Sequence, residues 1–127
     1  MIVIDASLGL ELAADTIRGR SVADILPAKI AVPSVFDLEV LNSLRRLSYQ
    51  KQLDPRRADD AAAFAMTLPA KRYSVDSSLE RVWQLRHNMT AYDASYVALA
   101  EMLDCELWTL DAKFPRVPKL TVPIRVF

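Results

Sequence analysis

The stretch from Thr90 to Asp111 constrains the fold of this chain more than any other. Thr90 is a good helix N-cap, and a helix rich in small residues follows it. That helix leads directly into a short apolar strand, Glu106 to Leu110, which ends at an acidic residue. Strands that are separated by helices in this way imply a parallel sheet with helices on both of its faces.

The rest of the chain repeats this alternation of strands and helices. Short apolar runs predict strands at residues 1–4, 29–32, 72–75, 106–110 and 122–127. Apolar spacing, caps and proline positions predict helices at residues 7–14, 21–26, 34–49, 55–67, 77–87 and from 90 onward. A chain of 127 residues is long enough for one core, so we expect a single α/β domain over residues 1–127. Its parallel sheet should contain four to five strands.

Several local signals refine these boundaries. We expect Arg18-Gly19-Arg20 to interrupt the helical pattern and Ser34 to cap the helix that follows the second strand. Apolar side chains at helical spacing near the carboxyl half indicate core packing rather than a cofactor site. The positions with this spacing are Tyr92, Tyr96, Leu99 and Leu103. The apolar positions of the helix expected at residues 77–87 are Leu79, Val82, Trp83 and Leu85.

Four acidic residues occupy the ends of predicted elements. Asp5 and Asp111 follow strands, while Asp93 and Glu39 lie near the starts of helices. Ligands of open parallel sheets bind beyond the carboxyl ends of the strands, so these four side chains should converge there. Carboxylate oxygens suit Mg²⁺ or Mn²⁺, whereas zinc sites use the histidine and cysteine that this chain nearly lacks. The acids therefore predict a divalent-metal site.

Two polar residues are predicted to support this site, and each acid also has a simpler interpretation. Asn42 lies on the same helix face as Glu39, and Thr109 leaves its strand on the same face as Asp111. Taken singly, Asp5 and Asp93 could stabilise helix starts, Glu39 could be solvated, and Asp111 could be a turn residue. The convergence of all four on one edge of one sheet favours the metal site.

Composition excludes several other classes of protein. Sixteen basic and sixteen acidic residues cancel, so any RNA binding depends on local basic patches. Gly9 and Gly19 are the only glycines, which excludes the clustered glycines of a P-loop or a Rossmann phosphate loop. His87 is the only histidine, which excludes a two-histidine ribonuclease. A lone Cys105, with no signal peptide or long apolar run, predicts a cytoplasmic protein.

Four segments together resemble a known family across essentially the whole chain. They are VIDAS at 3–7, PSVFDLEVLNSLRRL at 33–47, LRHNMTAYDASYVALAEML at 85–103 and LWTLDAKF at 107–114. These segments resemble PIN-domain ribonucleases, and above all the VapC toxins of bacterial toxin–antitoxin modules. The resemblance implies a PIN-like three-layer fold and assigns the catalytic, metal-binding acids to Asp5, Glu39, Asp93 and Asp111. Phe114, Pro115 and Arg116 stand where some relatives carry a further acid.

The resemblance also implies an activity and a set of partners. It implies a Mg²⁺-dependent endoribonuclease, with Mn²⁺ as a substitute, that hydrolyses phosphodiester bonds in structured RNA. It further implies a cognate antitoxin and a homodimer. An antitoxin arginine could enter a cleft of four carboxylates in place of the metal. The candidate RNA-binding residues are Arg45, Arg46, Arg86, Lys113 and Arg116.

Two alternatives from other classes remain open on the sequence. A phosphatase of the haloacid dehalogenase type also begins with a strand that ends in aspartate, but it needs a second aspartate two positions on, where this chain has Ser7. A catalytically silent PIN-like or receiver-like interaction module would use the same acids only for packing or phosphorylation. Turnover of small phosphate esters would favour the first alternative, and failure to bind Mn²⁺ would favour the second.

Overall fold

The computed structural model describes all 127 residues and contains five parallel strands in one sheet. The strands are β1 (Ile2–Ile4), β2 (Ile30–Pro33), β3 (Ala70–Tyr73), β4 (Glu106–Thr109) and β5 (Ile124–Val126). Their order across the sheet is β3-β2-β1-β4-β5, and every neighbouring pair is parallel. All five carboxyl ends therefore lie at one edge of the sheet. The predicted parallel sheet of four to five strands is confirmed.

Six α-helices cover the sheet. They are α1 (Ala6–Ala13), α2 (Ile17–Ala23), α3 (Phe36–Tyr49), α4 (Pro55–Thr67), α5 (Leu79–Gln84) and α6 (Ala91–Leu103). Helices α1 to α4 pack against one another, whereas α5 packs on α6. The chain moves outward from β1 to β3 and then back across to β4, so right-handed crossovers place these two groups on opposite faces. The molecule thus has the expected three layers. None of its helices has the length and apolar character needed to cross a membrane.

The core lies where β1 meets α6. All three residues of β1 are buried, and so is every residue of α6 from Ala94 to Ala100. Small side chains on α6 allow its backbone to approach β1, β2 and β4, which it contacts. A strand and a helix that are held this firmly provide rigid supports for the acidic residues next to them.

Helix α2 begins earlier than the sequence pattern predicts. Arg18-Gly19-Arg20 was expected to break the pattern, but it lies inside α2, whose first turn is capped by the Thr16 hydroxyl. A Cβ atom on Gly19 would lie 2.1 Å from the carbonyl oxygen of Glu11. Glycine is therefore needed there for close packing of α2 on α1 rather than for a break in the helix.

The start of α3 also differs from the prediction. Val35, not Ser34, occupies the N-cap position of α3, and no side chain caps the helix. The backbone amide of Ser34 instead donates to the carbonyl oxygen of Tyr73, which extends the pairing of β2 with β3 by one residue. The prediction that Ser34 caps this helix is wrong because sheet pairing holds that residue in place.

Strand β3 lies two residues before its predicted position. It begins directly after Pro69 and carries Lys71 and Arg72, so it lacks the apolar signature of a buried strand. The Arg72 guanidinium donates to both carboxylate oxygens of Asp37, at 3.1 and 2.9 Å, and so ties this edge strand to α3. Charged residues are common on edge strands, where they discourage pairing with other chains.

Three apolar positions near the carboxyl half are exposed. The helix expected at residues 77–87 is a 3₁₀ turn, Asp76–Ser78, followed by the shorter α5. Leu79 and Trp83 on α5 are mostly exposed, and so is Tyr92 on α6. The prediction from apolar spacing that Tyr92 packs in the core is wrong. Helix α5 packs on α6 and leaves Leu79 and Trp83 at the surface.

Candidate metal centre

Four carboxylates line one cavity at the carboxyl edge of the sheet. Asp5 follows β1, Asp111 lies two residues beyond β4, Glu39 is on α3, and Asp93 is in the first turn of α6. The cavity has a volume of about 350 Å³ and is lined by all four of these residues. The structure thus brings together the acids that the sequence predicted to converge, although they come from four separate segments.

Asp5 is the most firmly held of the four acids. One carboxylate oxygen accepts hydrogen bonds from the Ser7 hydroxyl at 2.7 Å and from the Leu8 amide at 3.0 Å. The other oxygen accepts from the Thr109 hydroxyl at 2.6 Å. Asp5 therefore caps α1, as its simpler interpretation predicted, while it also lines the cavity. A carboxylate has about four acceptor sites, so one remains for a ligand in the cavity.

Two hydroxyl groups join the ends of β1 and β4 around Asp5. Thr109, which was predicted to support the site, accepts from the Asp111 amide at 2.9 Å while it donates to Asp5. Ser7 accepts from the Leu110 amide at 3.1 Å. On the sequence, Ser7 argues only against a phosphatase, and this bridging role was not predicted. Its position two residues after a strand-ending aspartate is the only local signal that indicates it.

Glu39 is held by Tyr96, which helical spacing predicted to lie in the core. The Tyr96 hydroxyl donates to a carboxylate oxygen of Glu39 at 2.5 Å, although Tyr96 is only 1% exposed. This hydrogen bond joins α3 to α6 across the carboxyl edge of the sheet. Helical spacing predicted correctly that the Tyr96 ring is buried, but it gave no indication of where the hydroxyl group points.

Three of the acids have raised pKa values. Burial raises the pKa of Asp5 above its ordinary value of 3.8, against the effect of its three hydrogen bonds, and repulsion from Asp93 adds to the increase. Burial likewise raises the pKa of Glu39, with further repulsion from Asp93 and Asp5. Burial and then repulsion from Asp111 raise the pKa of Asp93. These carboxylates therefore oppose one another when no cation lies between them.

A second, smaller cavity adjoins the first. Asp93 and Asp111 line both, and the second cavity of about 210 Å³ is completed by residues from the turn before α6 and from the segment after Asp111. These include Asn88, Met89, Lys113 and Phe114. The two cavities form one acidic surface, with a lysine at its outer end.

The predicted basic residues separate into two groups. Arg46 lines the cavity of the four acids, and Lys113 lines the smaller one. Arg45 instead lies over the ring of Tyr49, 5.0 Å from its centroid, in a groove between α3 and α4. Arg86 and Arg116 line neither acidic cavity. Only Arg46 and Lys113 are therefore placed to meet a ligand at the acids.

The donor set fits a hard divalent ion that keeps part of its water shell. The structure contains no group of three or more aspartate, glutamate, histidine or cysteine side chains that could coordinate one ion together. Mg²⁺ is commonly held by only one or two carboxylates and retains several waters, so the 350 Å³ cavity suits a partly hydrated ion. One or two of Asp5, Glu39, Asp93 and Asp111 would therefore hold such an ion directly, and water molecules would lie between the ion and the others. The exposed residue Asn42 also lines this cavity, from the same helix as Glu39.

Comparison with known proteins agrees with this arrangement. The PIN domain family matches residues 2–120. The chain is 37% identical to ribonuclease VapC9 of Mycobacterium tuberculosis over 126 residues, which cover 99% of this chain and 98% of that protein. Its fold is similar to that of VapC20 from the same species, which is described as a sarcin-ricin loop cleaving toxin. The TM-score is 0.71 and the sequence identity is 19%, over 93% of this chain and 95% of VapC20. The fold is also similar to that of a chain of VapBC2 from Rickettsia felis bound to a promoter DNA fragment, with a TM-score of 0.69 and 14% identity over 100% and 99% of the two chains. The chain belongs to the PIN-domain family and, within it, to the VapC ribonucleases.

Proposed function

We propose that this chain is a Mg²⁺-dependent endoribonuclease that acts as the toxin of a type II toxin–antitoxin system. The observation that carries this proposal is the convergence of Asp5, Glu39, Asp93 and Asp111 on one cavity in a chain of the VapC family. Its substrate is structured RNA, and its reaction is the hydrolysis of a phosphodiester bond. A bound divalent ion supplies an activated water and neutralises charge that develops on the phosphate.

The residues around the cavity have distinct roles in this proposal. Asp5 and Asp111 provide fixed ligands because the Thr109 hydroxyl holds the carboxylate of one and the backbone of the other. Glu39 faces them from α3 and is oriented by Tyr96. This arrangement orients the carboxylates of Asp5 and Glu39 before the substrate binds, which lowers the cost of assembling a charged site during the reaction.

Arg46 is proposed to bind an RNA phosphate. It lies one helical turn beyond Asn42 on α3, its side chain is exposed, and it lines the cavity of the four acids. None of the three ion pairs in the molecule involves Arg46. A guanidinium group without an internal partner at the rim of an acidic cavity can accept a phosphate that the carboxylates alone would repel.

The proposed partner is a cognate antitoxin, and the proposed assembly includes a homodimer of this chain. Four acids line one cavity and three of them repel one another there, so the metal-free cavity attracts cations in general. An antitoxin arginine satisfies that field and blocks the metal at the same time. Co-purification of an untagged neighbouring gene product with this chain tests the pairing. A chain that purifies alone and remains equally active in the presence of the neighbouring protein would contradict it.

The direct test is metal-dependent cleavage of total cellular RNA. Purified protein should produce discrete fragments with Mg²⁺ or Mn²⁺ and none with EDTA. The Asp5→Asn and Asp111→Asn variants should lose cleavage, because each removes a carboxylate from the cavity. Asp60→Asn is the matched control, since Asp60 is exposed on α4 and does not line the cavity. Sequencing of RNA 5′ ends after induced expression would then identify the target.

The same experiment separates this proposal from the two alternatives. Cleavage by all three variants at the wild-type rate would show that Asp5 and Asp111 take no part in the reaction. Turnover of p-nitrophenyl phosphate that depends on Asp5 would indicate a phosphatase. An absence of Mn²⁺ binding by calorimetry, together with an absence of cleavage in any RNA, would indicate a silent interaction module.

A further inference from the structure

A third cavity lies directly beside the four acids and differs from them in character. It has a volume of about 410 Å³ and is lined by Val35, Leu38, Glu39, Asn42 and Tyr92. Glu39 and Asn42 also line the cavity of the four acids, so the two cavities share a wall on α3. Any polymer that lies across the carboxylates can therefore extend into this third cavity without leaving the protein surface.

The apolar lining of this cavity is exposed to an unusual degree. Leu38 is 71% exposed and Tyr92 is 59% exposed. Each directly precedes an acid of the candidate metal centre, since Glu39 follows Leu38 and Asp93 follows Tyr92. The same two helix starts that direct the acids toward the cavity thus present an apolar side chain beside it.

The Tyr92 ring has neither of its faces covered by another aromatic or cationic group. Two other exposed aromatic rings are covered by cations: Arg45 lies over Tyr49 at 5.0 Å and Arg86 lies over Trp83 at 4.6 Å. The one close pair of aromatic rings, Trp108 with Phe127, is elsewhere. An exposed ring beside a cavity is available for stacking with a planar ligand.

We propose that this third cavity is a nucleobase subsite, in which an unpaired base next to the cleaved phosphodiester bond stacks on Tyr92 and packs against Leu38. The inference rests on the proposed function, because it takes RNA to be the substrate at the acids. Recognition of single-stranded RNA commonly uses stacking on an aromatic ring together with hydrogen bonds to the base edge. The Asn42 side-chain amide, which has both donors and an acceptor, is placed on the shared wall to make such bonds.

The chemistry of the lining favours a base over a phosphate or a whole protein surface. No lysine or arginine lines this cavity, and Glu39 contributes the only charge, so a phosphate would be repelled there. The ribose–phosphate backbone is instead expected to follow the acids and Arg46 in the neighbouring cavity. A concave space of this volume also falls in the range of small-ligand sites, which suits one base and its sugar.

The test measures RNA binding apart from cleavage. In an Asp5→Asn background with Mg²⁺, a labelled single-stranded RNA of random sequence should bind at least about tenfold more weakly when Tyr92→Ala is added. Tyr92→Phe keeps the ring and should bind as tightly as the background. Phe64→Ala is the matched control, because Phe64 is a half-exposed aromatic residue on α4 that does not line the cavity. A ribose–phosphate polymer of equal length without bases should bind the Tyr92→Ala variant and its background equally.

Each other outcome overturns the subsite. Equal weakening for the base-containing and base-free polymers would mean that Tyr92 acts on the backbone or on the fold. An unchanged affinity would mean that no base stacks on Tyr92. Conversion of a dimer to a monomer by Tyr92→Ala, seen by light scattering, would mean that a second copy of the chain covers this cavity. Failure of the proposed function would be seen separately, as an absence of metal-dependent cleavage by the wild-type protein, while the binding comparison would still give a result.

Discussion

The hydrogen bond between Tyr96 and Glu39 allows the support of one acid in the candidate metal centre to be tested without removing that acid. Tyr96→Phe deletes only the hydroxyl that donates to Glu39 and leaves the buried ring in place. Tyr92→Phe is a matched control on the same helix, because the Tyr92 hydroxyl is exposed and makes no hydrogen bond. Any difference between the two variants therefore reports the loss of this one interaction rather than the loss of a tyrosine.

The expected loss of stability follows from the surroundings of Glu39. A hydrogen bond to a charged group contributes about 1.5–3 kcal/mol when both groups are buried. Glu39 is half-buried, so water can replace part of the lost interaction, and we expect a loss of about 1–2 kcal/mol. For a chain of this size, that loss lowers the melting temperature by about 4–8 °C. Tyr92→Phe should stay within about 0.5 kcal/mol of wild type, as surface changes usually do.

The pH dependence of the loss identifies its cause. Donation from Tyr96 lowers the pKa of Glu39 against the larger effect of burial, so the Phe variant should have an even higher pKa at Glu39. The stability difference should then be largest at pH 7.5 and shrink as the pH falls toward 4.5, where Glu39 becomes protonated in both proteins. Thermal melting in EDTA at several pH values measures this difference. Equal melting temperatures for wild type and Tyr96→Phe at pH 7.5, or a loss that is independent of pH, would refute the reasoning.

Three further predictions concern charge and packing. Burial raises the pKa values of Asp5, Glu39 and Asp93 in the folded protein. Protonation of these acids therefore stabilises the fold. This stabilisation is complete when the pH is below their ordinary pKa values, and it is lost as the pH rises through their raised pKa values. The melting temperature in EDTA should therefore increase from pH 7.5 to pH 5, and saturating Mn²⁺ should reduce that increase; a steady decrease would contradict it. Arg46→Ala should raise the KM for RNA by about tenfold and leave the Mn²⁺-induced thermal shift unchanged. An unchanged KM would contradict the proposal that Arg46 binds a phosphate of the RNA. Gly19→Ala should destabilise the protein by about 3 kcal/mol in urea unfolding, because its methyl group would collide with the backbone of α1, and a stable variant would contradict that packing.

The sequence was sufficient to predict the features that depend on local chemistry. The alternation of apolar runs and helices predicted the parallel sheet, and proline and cap residues placed α4 and α6 within about a residue of their observed starts. The four acids could be predicted as a group because parallel strands bring their carboxyl ends to one edge. Their assignment as metal ligands remains a prediction, since it depends on metal binding rather than on their position alone.

Features that depend on distant partners could not be predicted in this way. The bond from Tyr96 to Glu39 joins residues 57 positions apart, and the bond from Thr109 to Asp5 joins residues 104 positions apart. Strand β3 was placed two residues too late because Arg72 is stabilised by Asp37 and by carbonyl groups at the end of α4, not by apolar burial. Local patterns indicate which side of a residue is apolar, but they do not indicate where its polar group finds a partner.

The way in which the protein holds its acids explains how a folded chain can keep so much uncompensated charge in one place. Its three ion pairs lie elsewhere, and none of them neutralises Asp5, Glu39, Asp93 or Asp111. Hydroxyl and amide groups satisfy the hydrogen bonds of Asp5 and Glu39 instead, so they orient these carboxylates without cancelling their charge. A lysine or arginine of the chain in ion pairs with these acids would stabilise the metal-free fold more. It would also neutralise the negative charge that attracts a metal ion or an antitoxin arginine in the proposed function. We therefore expect this edge of the sheet to gain stability when a cation from outside the chain binds there.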